Sequence, residues 1–323
     1  MAGKKKFEEQ IAALDALRTQ SPETTIEPLR RALRHRNNFV VARAADLVRE
    51  LRLHQLIPEL LAAFDRFFDD PGKTDPQCWA KNSVSRTLAT FEHADAEVFL
   101  RGLKHIQLEP VWGGSSDSAA SLRGTCAQAL VQCRSLPDAE LLKHLVDLFA
   151  DKEKSVRVEA VRAVGQVNSA SSMLLLRLKA TVGSDEPEVL GACYSGILEI
   201  EGKTAIPWIS RFLDAGEDAA AEAALALAGT HSTAAFEALR ESFAQASDPW
   251  FQSVLLSAIA LTRQDEAREF LFDLVRKESL HAEGVIEAIC RSGPSAEVVN
   301  GLEKLVAGNP RLTRLFAKHR ILR

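Results

Sequence analysis

The feature that most constrains this 323-residue chain is a repeating pattern of two short amphipathic segments joined by a polar turn. It is clearest from Leu142 to Gly165, LKHLVDLFADKEKSVRVEAVRAVG. Leu142, Leu145, Val146 and Phe149 fall on one helical face, and after the turn Asp151 to Ser155 a second face is marked by Val156, Ala160, Ala163 and Val164. One such pair cannot bury its own apolar stripe, so the copies must stack side by side. Aligning the chain on Val156 finds equivalents at Val40, Ala80, Leu122, Val189, Ala220, Phe251 and Ala282. The spacings are 40, 42, 34, 33, 31, 31 and 31 residues. Small residues recur four and seven or eight positions after several of them. The pattern predicts an all-α chain, an α-solenoid of about eight stacked antiparallel helix pairs, forming one elongated body. The pairs occupy residues 21–295, with an N-terminal capping helix at 1–20 and C-terminal capping helices at 296–323.

Composition fits closely packed helices. The chain is 46% hydrophobic but only 6% aromatic, so Ala, Leu, Val and Ile must fill the core. Strand alternation is nearly absent and there is no Asn-Gly hairpin signal. Five cysteines, Cys78, Cys126, Cys133, Cys193 and Cys290, include no C-x-x-C pair and no neighbouring histidine at ligand spacing. Neither a disulfide framework nor a zinc site is expected, and a reducing, cytoplasmic location is. The start, MAGKKKFEEQ, lacks the apolar core of a signal peptide, and no apolar run approaches the roughly 20 residues that span a bilayer. The net charge of −4 is unevenly spread. Residues 1–54 carry +4 and residues 309–323 carry +5, which leaves −13 for the middle. A general polyanion binder is more often basic along its length.

Local punctuation sets the register. Phe7, Ile11, Leu14 and Leu17 mark the first helix, which Ser21-Pro22 breaks. Ile26-Glu27-Pro28-Leu29, Ile57-Pro58-Glu59-Leu60 and Ile206-Pro207-Trp208-Ile209 read as starts of first helices, where proline loses no internal hydrogen bond. Asp75-Pro76 and Asp248-Pro249 place an acidic cap before a second helix, and Asp185 with Glu188 approximates a capping box.

The run Asp151…Val156-Arg157…Ala160…Ala163-Val164-Gly165 resembles the HEAT repeat, in the short form of bacterial phycobilisome-lyase-type HEAT proteins. Leu122-Arg123…Ala129-Leu130 and Asp185…Val189…Cys193…Ile197 match in part. Leu190, Ala221 and Gln252 stand where the motif has arginine. The resemblance implies an α-solenoid and little about function, because such arrays serve many partners.

The two long spacings are where function is expected. Relative to 31, the steps of 40 and 42 carry about 9 and 11 extra residues, at Asp69 to Pro76 and at Glu109 to Asp117. Stacking would set these enlarged turns side by side, gathering Lys73, Trp79, Lys81, Trp112, Asp117 and Arg123 with Asp75 and Gly113-Gly114 into a candidate partner-binding edge. Two tryptophans among cations can stack on a base, a tetrapyrrole ring or a partner side chain. The structural alternative packs Trp79 into the core, pins the loop with Trp112, and uses Lys81 and Arg123 to bond neighbouring turns.

The second helices offer another surface. Positions three and six after the aligned residue pass from charged, with Arg86, to small and apolar, with Ala223, Ala226, Val254, Ser257 and Val285. These residues form a candidate concave groove for a peptide or helix. A one-residue register error would return them to the core. Basic stretches at Arg30 to Arg36 and Arg311 to Arg323 are candidate phosphate contacts or solvated faces.

The expected function is a non-catalytic scaffold that binds a protein partner through the groove or the enlarged turns. The alternative is a nucleic-acid-binding solenoid like the DNA-alkylation-repair glycosylases. Trp79, Trp112 and Arg123 are superficially similar to the residues of those enzymes, but Asn82 stands three after Trp79 and cannot act as a carboxylate. A weaker alternative is a phycobilisome-lyase-like role. No P-loop, helical H-E-x-x-H or Ser/His/Asp system is present in the sequence, the eight histidines are scattered, and no cofactor, metal or membrane contact is expected.

Overall fold

A computed structural model describes residues 2–215 and 218–321; Met1, Gly216, Glu217, Leu322 and Arg323 lie outside the described residues, and with them the last of the C-terminal basic residues. The described chain is predominantly α-helical, with one two-stranded β-hairpin. Its contacts define two compact units, Met1–Val167 and Asn168–Arg323.

In the first unit, α1 (Ala2–Asp15) precedes α2 (Pro22–Leu33) and α3 (Asn38–Glu50). Next come α4 (Ile57–Arg66), the single turn α5 (Pro71–Thr74) and α6 (Trp79–Thr90). The unit continues with α7 (Ala96–Leu103), the hairpin β1 (Leu108–Val111) and β2 (Gly114–Asp117), and α8 (Ala120–Leu130). It closes with α9 (Asp138–Asp147) and α10 (Lys154–Val167). Each pair packs internally, α2 on α3, α4 on α6, α7 on α8 and α9 on α10, and the second helices form a row in which α3 meets α6, α6 meets α8 and α8 meets α10.

The second unit holds α11 (Ala170–Val182) with α12 (Pro187–Glu201), α13 (Ile206–Ser210) with α14 (Asp218–Gly229), and α15 (Thr233–Gln245) with α16 (Pro249–Leu261). They are followed by α17 (Asp265–Arg276) with α18 (Ala282–Arg291) and α19 (Ala296–Val306) with α20 (Pro310–Ile321). Here the row runs α12, α14, α16, α18 and α20, so the two C-terminal helices pack in the pattern of the pairs before them.

The aligned residues Val40, Ala80, Leu122, Val156, Val189, Ala220, Phe251 and Ala282 are all buried, and each lies in the first turn of a second helix. They and the small residues after them supply the core between adjacent rows. Close approach depends on those small residues. A Cβ at Gly102 of α7 would sit 2.5 Å from Cys126 Sγ on α8, so the two helices meet only because that position is bare.

Local signals mostly act as expected, with three corrections. Ile57-Pro58 and Ile206-Pro207 begin helices, and the Asp248 carboxylate accepts the Phe251 N–H at 2.9 Å ahead of Pro249. Pro28, in contrast, lies inside α2, because Ser21-Pro22 starts that helix one turn earlier. Asp185 does not form a capping box: α12 begins at Pro187, and the Asp185 carboxylate turns back to Lys179 at 2.5 Å and to the Glu186 N–H at 2.8 Å. The insert Glu109 to Asp117 is a β-hairpin rather than an irregular loop. Val111 pairs with Gly114 across a two-residue turn, Trp112-Gly113, in which Gly113 takes φ 87°, a value that a residue with a Cβ seldom adopts.

Candidate interaction site

The enlarged turns of the first unit are built on a buried ladder of carboxylates and cations. Asp75, fully buried, has one carboxylate oxygen accepting Asn38 Nδ2 and the Ala80 N–H, each at 2.9 Å. The other accepts the Lys81 N–H at 3.1 Å and Lys81 Nζ at 3.0 Å. Lys81 is equally buried, and its ammonium also donates to the Phe67 carbonyl at 3.0 Å. Two residues before α6, Gln77 and Cys78, hold positive φ values of 59° and 55°. This left-handed step costs about 1–2 kcal/mol per residue, and it folds the chain back so that Asp75 can cap the helix.

The hairpin base continues the ladder. Gln107 donates from Nε2 to the Asp75 carbonyl at 2.8 Å and to Glu109 Oε1 at 2.6 Å. Glu109 Oε1 also accepts Ser118 Oγ at 2.8 Å and the Gln77 N–H at 2.7 Å. Asp117 accepts the N–H groups of Gln107 and Ala119, both at 3.0 Å, and Arg123 Nη1 at 2.6 Å. Arg123, 3% exposed, then reaches the next turn, where Nε and Nη2 donate to the two oxygens of Asp151 at 2.8 and 3.0 Å.

The protonation of this network is fixed by contest. Burial pushes the Glu109 and Asp117 carboxyls up, but the hydrogen bonds they accept win and hold both below the usual carboxylate range. Burial likewise works against the Arg123 charge, and Asp151 and Asp117 more than restore it. Desolvation lowers His105 and pushes the Cys78 thiol up to about 12, so neither group is primed as a base or nucleophile.

The candidate edge residues therefore divide into two sets. Lys81, Asp117 and Arg123 do not face a partner: they are consumed in bonding consecutive turns, because a buried charge without a countercharge would cost several kcal/mol. Trp112 stands fully exposed at the hairpin tip and does not pin the loop. Trp79 is 42% exposed and sets its ring edge on Phe39 at 5.2 Å, so it is not a core residue either. Lys73 is exposed and paired with Asp70. Ile106 before the hairpin and Leu108 and Val111 on its first strand are also exposed.

Asn38, Gln107, Glu109 and Asp151 are the parts of the ladder that sequence inspection did not single out as site residues. A signal for it exists: Asp75/Lys81, Asp117/Arg123 and Asp151/Arg157 repeat the same six-residue offset. Arg157 joins in the last of these by donating to the Asp151 carbonyl at 2.6 Å.

Of the proposed groove residues, Arg86 is exposed and Ala226, Val254 and Ser257 are half-buried. Ala223 and Val285 are fully buried and belong to the core of the second unit, where each second helix is flanked by others and little of its surface stays free. The N-terminal basic run is largely occupied. Arg30 holds Glu59 at 2.6 Å and also Glu27, and Arg34 lies 3.6 Å from Glu59. At the other end Arg311 and Arg320 lie 3.6 and 3.4 Å from Glu283 and Glu303. Among the described residues no group of three or more His, Cys, Asp or Glu is arranged to hold a metal, and no helix is long and apolar enough to cross a membrane. No protein-family model matches the chain, and no curated protein matches its sequence.

Proposed function

We propose that this protein is a non-catalytic HEAT-like solenoid scaffold that binds a partner protein through the hairpin edge of repeats 2 and 3. The observation that carries this reading is the contrast within the hairpin. Its base is locked by Glu109, Asp117 and Gln107, while Trp112, Val111, Leu108 and Ile106 stand in solvent. A two-stranded hairpin is marginal on its own, so fixing one this firmly in order to expose four apolar side chains suits recognition better than structure. Tryptophan held on a rigid support is a typical energetic anchor of protein interfaces.

The same observation weighs against the nucleic-acid and base-repair readings. At this edge both would draw on Arg123 or Lys81, and those cations are spent on carboxylates. Nothing in the site favours a lyase-like role. We place the protein in the cytoplasm, since none of its five cysteines forms a disulfide and a reducing compartment keeps them so.

Affinity capture from the native cell tests the proposal, with the wild-type chain compared against a Val111→Ser/Trp112→Ala variant that retains the wild-type circular dichroism and melting temperature. Loss of a specific protein from the variant's captured set is expected. Identical sets from the two chains would sink the assignment to the hairpin.

A further inference from the structure

The second helices of the first unit border an open cleft of about 590 Å³, lined from α3, α6, α8 and α10, that the hairpin reading does not use. Arg49 and Arg86 stand among its lining residues, with Ser121, Thr125, Gln128 and Glu159. Both arginines have hydrogen-bonding capacity to spare. Arg86 is exposed and pairs with no carboxylate among the described residues; its one hydrogen bond runs from Nε to the Asn82 carbonyl at 3.3 Å. Arg49 gives Nη2 to Asp46 at 2.9 Å, while its Nε is buried with no partner. A buried, unsatisfied guanidinium nitrogen is costly unless something else meets it. The hydroxyls of Ser121 and Thr125 have no hydrogen-bond partner among the described residues either.

The sole carboxylate of the lining is Glu159, already held by Arg162 and by Gln128 Nε2 at 3.0 Å. With Arg49 paired to Asp46 and Glu159 to Arg162, Arg86 is the cation left over, a single positive charge. That suits a singly charged, planar acceptor, which a guanidinium meets with two parallel hydrogen bonds. A phosphodiester chain fits less well, because Glu159 repels its repeated charges and the ladder has taken the other cations of α6 and α8, Lys81 and Arg123.

We infer that this cleft is a second binding site, for a carboxylate of a peptide chain, with Arg86 as its principal contact and Arg49 as its support. The inference rests on the scaffold reading only in taking the ligand to be a protein segment. The carboxylate is that of an acidic side chain or of a chain end, and the test separates these sources.

Fluorescence anisotropy would be measured on the full chain with three fluorescein-labelled heptapeptides. One has two glutamates and an amidated C-terminus, the second has glutamines in their place, and the third is the glutamine peptide with a free C-terminus. A seven-nucleotide single strand serves as the polyanion arm. Saturable binding of the first or the third peptide is expected, with affinity falling about tenfold in Arg86→Gln and in Arg49→Gln. The fall should be absent in Arg36→Gln, which removes the same charge from an exposed position elsewhere. Trp112→Ala should leave the peptide affinity unchanged, so this site and the hairpin stand or fall separately. The inference is overturned by no saturable binding below about 1 mM peptide. It is equally overturned by an equal loss in Arg36→Gln or Trp112→Ala, or by tighter binding of the oligonucleotide than of either peptide.

Discussion

Residues 1–167 and 168–323 are built from the same helix pair but secure their turns differently. In the first unit a turn aspartate and a cation six residues later recur in three consecutive repeats, and Arg123 carries the chain of bonds from one turn to the next. In the second unit the position taken by Lys81, Arg123 and Arg157 holds Leu190, Ala221, Gln252 and Glu283, and the ladder ends. Its turns use other devices: Lys179 with Asp185, the Asp248 cap, and Gln264 donating to the His231 carbonyl at 2.9 Å. Two of the three ladder turns are the enlarged ones of repeats 2 and 3; the third, at Asp151, has the ordinary length and is tied to the turn before it by Arg123. Those bonds are charged although they are buried, and each charge is therefore met by a countercharge.

The sharpest way to break this comparison is to remove one rung. Asp75→Ala leaves Lys81 Nζ buried with only the Phe67 carbonyl and strips α6 of its cap, and a loss of about 3–5 kcal/mol in chemical denaturation is expected. Arg123→Met should cost less, about 2–3 kcal/mol, because Asp117 and Asp151 both keep backbone N–H donors. A cost under about 1 kcal/mol for either change would mean the ladder is incidental to stability.

In the second unit the Lys179–Asp185 pair should instead show itself by pH. Burial pushes the Asp185 carboxyl up, but hydrogen bonds from Glu186 and Lys179 outweigh it and hold the group at about 2, against an ordinary 3.8. A depressed folded value contributes stability that is complete above the unfolded value and fades as pH falls from 3.8 towards 2. Asp185→Asn should remove that contribution at neutral pH and flatten the acid limb of the stability curve over that window. An unchanged acid limb would assign that limb to other groups.

Much of this was legible in the sequence, and the reasons for the rest are local. The eight aligned positions could be found because burial imposes periodicity, and all eight are core. The hairpin could not, because its strand residues Leu108, Pro110 and Val111 are exposed and leave no alternation to read, and its turn is Trp-Gly in place of Asn-Gly. Ala223 and Val285 were misplaced because a residue three after the aligned position lies at the margin of the buried face. One residue is about 100° of helix, so a small rotation decides its side. Lys81 and Arg123 were open to two readings, a partner contact or a bond between turns, because charge in a sequence does not announce its partner. The six-residue spacing to Asp75 and Asp117 would have supplied it.

The smallest expected effect closes the comparison from the other side. Trp112→Ala removes the largest side chain of the hairpin, yet the indole is fully exposed. No burial is lost, the turn conformation belongs to Gly113, and the hairpin is anchored at Glu109 and Asp117 rather than at its tip. Stability should therefore change by less than about 0.5 kcal/mol in the denaturation assay that registers Asp75→Ala. A larger loss would mean that Trp112 packs against the body and holds its own loop, and the hairpin would become a structural element like the ladder beneath it. A neutral result combined with lost partner capture separates the two parts of the first unit: a buried ionic base that carries stability, and an apolar tip that contributes only to binding.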